Sequence, residues 1–113
     1  MANYEHLNIY KEAYILLRVL FSVVSWFDKN YRSIMWYRLL DISTNIVSLI
    51  VKINWEQLEK RKELFNILRE KIDNLNLYMR ISNDLKLFKK ETFYTENLWR
   101  VVKIRKMMEC WDK

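Results

Sequence analysis

The sequence predicts an all-α protein, an antiparallel up-down four-helix bundle, in one domain over residues 1–113. Three observations predict it. The 113 residues include no glycine and no proline, on which tight hairpins and helix breaks lean. Apolar residues recur at steps of three and four along four segments. Only short polar breaks separate those segments, so each helix returns beside the one before it. A chain this long buries roughly two thirds of its unfolded surface, enough for one core.

The first helix is expected over about 8–27. Asn8 is its expected cap, because an Asn side chain accepts the orphan N–H groups of a first turn. Ile9, Ala13, Leu16, Leu17, Leu20, Val24 and Phe27 form its apolar face, and Asp28, Lys29 and Asn30 read as a polar break. The second helix is expected over 33–54, capped by Ser33, with Leu39, Ile42, Ile46, Leu49, Ile50 and Ile53 as its stripe. The third and longest is expected over 57–88, with Leu64, Leu68, Ile72, Leu75, Met79 and Leu85 inward. On its charged face, Glu59 with Lys62 and Glu63 with Arg69 read as solubility devices, worth at most a few tenths of ~1 kcal/mol. Thr92 is the expected cap of the fourth helix, over 92–111, with Tyr94, Leu98, Val101, Met108 and Trp111 on its face.

Composition also excludes chemistries. Without glycine there is no phosphate-cradling loop and no nucleophile elbow. His6 is the only histidine and Cys110 the only cysteine, too few for a structural zinc site or an internal disulfide. A Cys–His catalytic pair lacks an orienting third group near His6. No enzyme activity, metal or cofactor is therefore expected. The longest uncharged run is Ile42–Val51, too short for a bilayer, so no membrane span is expected. The opening residues do not follow the export-signal pattern, and a cytoplasmic location is expected.

The formal charge is +6, from 20 basic and 14 acidic side chains. Residues 1–56 are near neutral. The excess lies in the second half, where Lys86, Lys89, Lys90, Arg100, Lys103, Arg105 and Lys106 stand against Glu91 and Glu96. That asymmetry points to an anionic partner, although a solvated Lys-rich surface has the same composition. On the fourth helix Arg100, Lys103 and Lys106 repeat at three-residue steps beside Thr95 and Trp99. Cations so spaced can follow a phosphate backbone, and an indole among them can stack on an unpaired base. The eight candidate nucleic-acid residues are thus Lys86, Lys89, Lys90, Trp99, Arg100, Lys103, Arg105 and Lys106. Cations near a helix C-terminus also suit the helix dipole, and Trp99 equally suits an oligomer contact. Arg105 falls within the apolar face, so it needs a carboxylate, a path to water or a wet channel between subunits.

The first helix carries more apolar surface than one core needs. Beyond a narrow polar strip of Lys11, Arg18, Ser22 and Ser25 lies a second stripe, Ile15, Val19 and Trp26. The second helix repeats this with Leu40, Val47 and Val51. A wider core face explains such residues, as does a homo-oligomer interface; the polar strip between the stripes favours the oligomer.

Several runs carry a family resemblance. Tyr4-Glu5-His6-Leu7-Asn8-Ile9-Tyr10-Lys11-Glu12-Ala13-Tyr14 resembles the opening of the accessory variability determinant (Avd) proteins of diversity-generating retroelements, small four-helix proteins. Arg38-Leu39-Leu40-Asp41 followed by Leu49-Ile50-Val51-Lys52-Ile53-Asn54 is similar to that family's second helix, and the run from Arg80 to Lys89 to its third-helix ending. Trp111 sits where such chains often end with a Trp. Family members often carry glycines where this chain has Met35-Trp36 and Glu109-Cys110, and a small residue where it has Arg105. The resemblance implies a homopentameric, basic assembly of bundles. It also implies association with a reverse transcriptase and its template RNA or cDNA, in support of mutagenic copying, with no catalysis by the accessory protein itself. The fold is shared with proteins encoded in ribosomal-RNA intervening sequences, and an interaction protein of that type, with no nucleic-acid role, is the alternative.

Overall fold

Four long helices carry the chain: α1 Asn8–Ser22, α2 Lys29–Trp55, α3 Arg61–Asp84 and α4 Phe93–Trp111. The computed structural model describes residues 7–112, and among them there is no strand. His6, and with it residues 4–6 of the family-like opening, lies outside the described residues.

Helix α1 corrects the expected boundaries at both ends. Leu7, in an extended conformation, holds the cap position, and Asn8 is the first helical residue rather than the cap. The helix stops at Ser22 instead of Phe27. There the Ser22 hydroxyl donates to the Val19 carbonyl at 2.6 Å, a bond that competes with the helix ladder, and two β-branched valines follow, which are weak helix formers. A 3₁₀ turn over Val24–Trp26 then swings Phe27, extended and fully buried, edge-on against Phe88 with ring centroids 5.9 Å apart.

Helix α2 begins four residues before Ser33. Asp28 caps it, its carboxylate accepting from the N–H groups of Asn30 at 3.0 Å and Tyr31 at 3.2 Å. The expected polar break is thus a capping signal. Arg32–Trp36 is wound as a π-helix before the α-helical stretch Tyr37–Trp55. By length and composition α2 is apolar enough to cross a membrane. The uncharged run Ile42–Val51 understated this, because Arg38 and Asp41 are the only charges between Ser33 and Val51. Leu39, Ile42, Ile46, Ile50 and Ile53 are buried in the core.

Arg61 fastens the turn into α3, donating to the carbonyls of Glu56 at 3.1 Å and Asn54 at 3.3 Å at the end of α2. Helix α3 ends at Asp84, not Phe88. Lys86 adopts φ 60°, Leu87 N–H donates to the Ser82 carbonyl and Lys86 N–H to that of Asn83. This is a Schellman ending whose left-handed position normally takes glycine. With no glycine in the chain a lysine fills it, so the sequence carried no stop signal. Phe88 instead turns into the core beside Phe93, centroids 4.6 Å apart. Thr92 holds the cap position of α4 as expected, but its hydroxyl donates to Glu96 at 3.0 Å and caps no N–H group.

Two core stripes also differ from expectation. On α3, Phe65 is buried, while Leu64 is half-buried and Leu85 exposed. On α4 the buried face is Phe93, Asn97, Val101, Ile104 and Met108, with Tyr94, Leu98 and Trp111 half-buried at its margins. Asn97 is tolerated inside because its side-chain amide donates to the Phe93 carbonyl at 2.9 Å. Helix α2 packs on α1 and α3, and α4 packs on α3 and α1, closing a ring of helices 43 Å long and 23 × 21 Å across.

Candidate nucleic-acid interface

The site grows from the edge of α4 that meets α1. At 100° per residue, Trp99, Lys103 and Lys106 fall within about 60° of one another on the outer side of α4. Trp99 is 52% exposed. The Arg100 guanidinium carbon and the Lys103 ammonium each lie 5.4 Å from the centre of its ring, within cation–π range. Lys103 and Lys106 also rim a groove of about 360 Å³ floored by Leu7, Ile9, Met107 and Trp111.

Glu12 of α1 organises this edge. Its Oε1 accepts from Arg100 Nη1 at 2.7 Å and its Oε2 from Lys103 Nζ at 3.0 Å. The Glu12 side chain is 15% exposed, that of Arg100 20% and that of Lys103 43%. Burial opposes the charged form of Glu12, but the hydrogen bond and charge of Lys103 and those of Arg100 outweigh it and hold the carboxyl below the usual carboxylate range. Sequence reasoning missed Glu12. The available signal was its place at the margin of the first helix's core face, where a carboxylate meets the neighbouring helix.

The other candidates separate into two groups. Lys86, Lys89 and Lys90 lie in the turn between α3 and α4. Lys106 sits about 20 Å further along α4, at 1.5 Å per residue from Phe93. Lys90 pairs with Glu96 at 3.3 Å. The Thr92 hydroxyl, with the hydrogen bond and charge of Lys90, holds the Glu96 carboxyl below its usual range. Lys86, Lys89 and Lys106 are exposed and have no carboxylate partner among the described residues. Arg105 does not join this edge. It faces α3, where it pairs with Asp73, the carboxylate its place in the apolar face required. Its buried Nε has no hydrogen-bond partner among the described residues.

The ion pairs of Lys62 and Arg69 on α3 likewise reach across to the end of α4. Arg69 bonds Glu109 at 2.6 Å and Asp112 at 2.9 Å, not Glu63. These hydrogen bonds, over the opposing effect of burial, raise the Arg69 pKa further. Lys62 approaches Asp112 at 3.5 Å.

Of the residues expected at an oligomer interface, Val19, Trp26, Leu40 and Val47 are half-buried against the core, as a wider core face has them. Trp26 packs edge-on to Phe93, with centroids 5.0 Å apart. Val51 is half-buried and Ile15 exposed. The large exposed apolar side chains nearby are others, Tyr14 and Phe21 on α1 and Ile34 and Tyr37 on α2. For Tyr14 and Phe21 the signal, aromatic residues inside the polar strip of α1, was masked by the serines and Arg18 around them.

No group of three His, Cys, Asp or Glu among the described residues could hold a metal ion, and Cys110 is a free, exposed thiol. No family model, curated protein or solved structure matches this chain.

Proposed function

We propose that this chain is a non-catalytic, nucleic-acid-binding accessory protein of the kind its sequence resembles. In this reading it is an antiparallel up-down bundle that assembles as a homopentamer in the cytoplasm. It binds RNA or cDNA and supports a reverse transcriptase in mutagenic copying for a diversity-generating retroelement. The observation that carries the reading is Trp99, half exposed, with the cations of Arg100 and Lys103 over its ring. An aromatic platform with cations at its side is how sequence-tolerant single-strand binders hold bases and backbone together.

Other features support parts of it. Lys62, Arg69 and Asp73 on α3 meet, in turn, Asp112 just past the end of α4 and Glu109 and Arg105 on α4. Glu12 on α1 and Trp26 in the turn after it meet Arg100 and Phe93 on α4. Both orders are reversed, as antiparallel neighbours require. The exposed Tyr14, Ile15 and Phe21 on α1, with Ile34 and Tyr37 on α2, supply the apolar surface for subunit contacts. The second reading, an intervening-sequence-type interaction protein without nucleic acid, is favoured by one observation: Lys90, Arg100, Lys103 and Arg105 all have carboxylate partners within the chain.

The unpaired Lys89 and Lys106 separate the two. Lys89→Glu with Lys106→Glu breaks no ion pair among the described residues. The variant should bind single-stranded RNA more weakly, alike for all sequences, and should lower the salt slope by roughly 1.4, for two phosphates at 0.7 each. Unchanged affinity and slope would favour the interaction protein.

A further inference from the structure

Glu12 presents both oxygens of one carboxylate to two cations, Arg100 Nη1 at 2.7 Å and Lys103 Nζ at 3.0 Å. Two cations converging on two oxygens of a single anion is also how a phosphate is held. The indole of Trp99 lies directly beside them. The Lys103 ammonium lies 5.4 Å from the centre of that ring, within reach of a phosphate next to a base stacked on it.

The two cations differ in how firmly they are held. Arg100 is mostly buried, makes the shorter bond and has its Nε buried without a partner. Lys103 is 43% exposed, makes the longer bond and ends in a single ammonium on a flexible stem. Breaking the Lys103 contact costs little, because partly exposed ion pairs are weak. Breaking the Arg100 contact leaves a largely buried guanidinium without its counter-ion.

We infer that Glu12 is a built-in competitor for the phosphate of a bound single-stranded nucleotide, which takes Lys103 from it while Arg100 stays paired. This rests on the nucleic-acid reading above and adds its control element: one carboxylate of α1 sets how much of the α4 charge is available to a strand. It also explains how a face with paired cations binds an anion, since the exchange trades one oxyanion for another at Lys103.

A double-mutant cycle in binding to a fluorescent single-stranded oligouridylate tests it. Glu12→Gln keeps an acceptor for Arg100 and frees Lys103. It should raise affinity about threefold to tenfold and steepen the salt slope by roughly 0.7, one further phosphate contact. In a Lys103→Gln background the same change should alter affinity less than twofold. Glu59→Gln, on the distant turn before α3, controls for loss of a negative charge anywhere. A gain that persists in the Lys103→Gln background, or is matched by Glu59→Gln, overturns the competitor. If the wild type binds and Lys103→Gln weakens it, but Glu12→Gln changes nothing, the competitor is wrong and the binding reading stands. If neither the wild type nor Glu12→Gln binds, both fail. Nitrogen-detected NMR of the unsubstituted protein gives a readout that needs no variant to fold. Oligouridylate should shift the Lys103 ammonium signal and leave the Arg100 guanidinium in place; the reverse pattern overturns the exchange.

Discussion

The indole Nε1 of Trp36 donates to the main-chain carbonyl of Leu20 at 2.9 Å, joining the π-helical start of α2 to the last turn of α1. Leu20 is among the four final residues of α1 whose carbonyls have no partner within the helix. A tryptophan sixteen residues downstream supplies one. Trp36→Phe keeps an aromatic ring against Phe21, whose centroid is 6.4 Å away, but removes the donor. It should lower stability by about 1–3 kcal/mol in urea unfolding. An unchanged midpoint would mean the bond contributes nothing net.

Lys86 at φ 60° should be a stabilising target. A left-handed lysine is strained by about 1 kcal/mol, and glycine is not. Lys86→Gly should raise stability by about 0.5–1 kcal/mol, less the entropy that glycine adds to the unfolded chain. Lys86→Val, β-branched at the same angle, should lower it.

Glu12 makes a pH-dependent contribution to the fold. Its folded pKa lies below the ordinary 4.5. The unfolded state therefore binds the proton more tightly, and the clamp's stability is present above about pH 4.5 and lost as pH falls through the lower folded value. The stability difference between the wild type and Glu12→Gln should be largest near neutral pH and should close in acid. A gap constant down to pH ~2 would contradict the clamp.

Subunit association should depend on exposed residues of α1. Light scattering at micromolar concentration should give a mass several times 14.1 kDa. Phe21→Glu and Ile15→Glu should lower that mass with little change in the melting of the subunit, because both side chains face outward. Val19→Glu tests this poorly, since Val19 also packs against the core. A 14 kDa particle for the wild type would rule out the oligomer.

The sequence made the helices legible where apolar periodicity is strong, and obscured them where a boundary depends on one residue's conformation. Leu39, Ile46, Ile50, Leu68, Ile72 and Leu75 are inward because their spacing demands it. The end of α3 was hidden because Lys86 performs a glycine's turn. The start of α2 was hidden because Asp28 reads as a break when it is a cap. On α4, Asn97 occupies a core position and disguises the stripe. For the candidate site, spacing alone grouped Arg100, Lys103 and Lys106, with Thr95 and Trp99 beside them. Spacing along one helix could not reveal that Glu12, 88 residues before Arg100, closes on the same edge, nor that Arg105 turns to Asp73 on α3. Those pairings depend on which helices are neighbours.

The most direct test of the central claim is the affinity of the wild type and of Trp99→Ala for single-stranded and duplex RNA of one sequence, measured side by side. Trp99 is half exposed and buries little in the core, so the variant should fold. Loss of one base–aromatic stack should weaken single-strand binding by about tenfold. Duplex binding, which rests on phosphates alone, should stay within about twofold. Equal affinity of both proteins for the single strand would contradict the account, because the exposed indole would then hold no base.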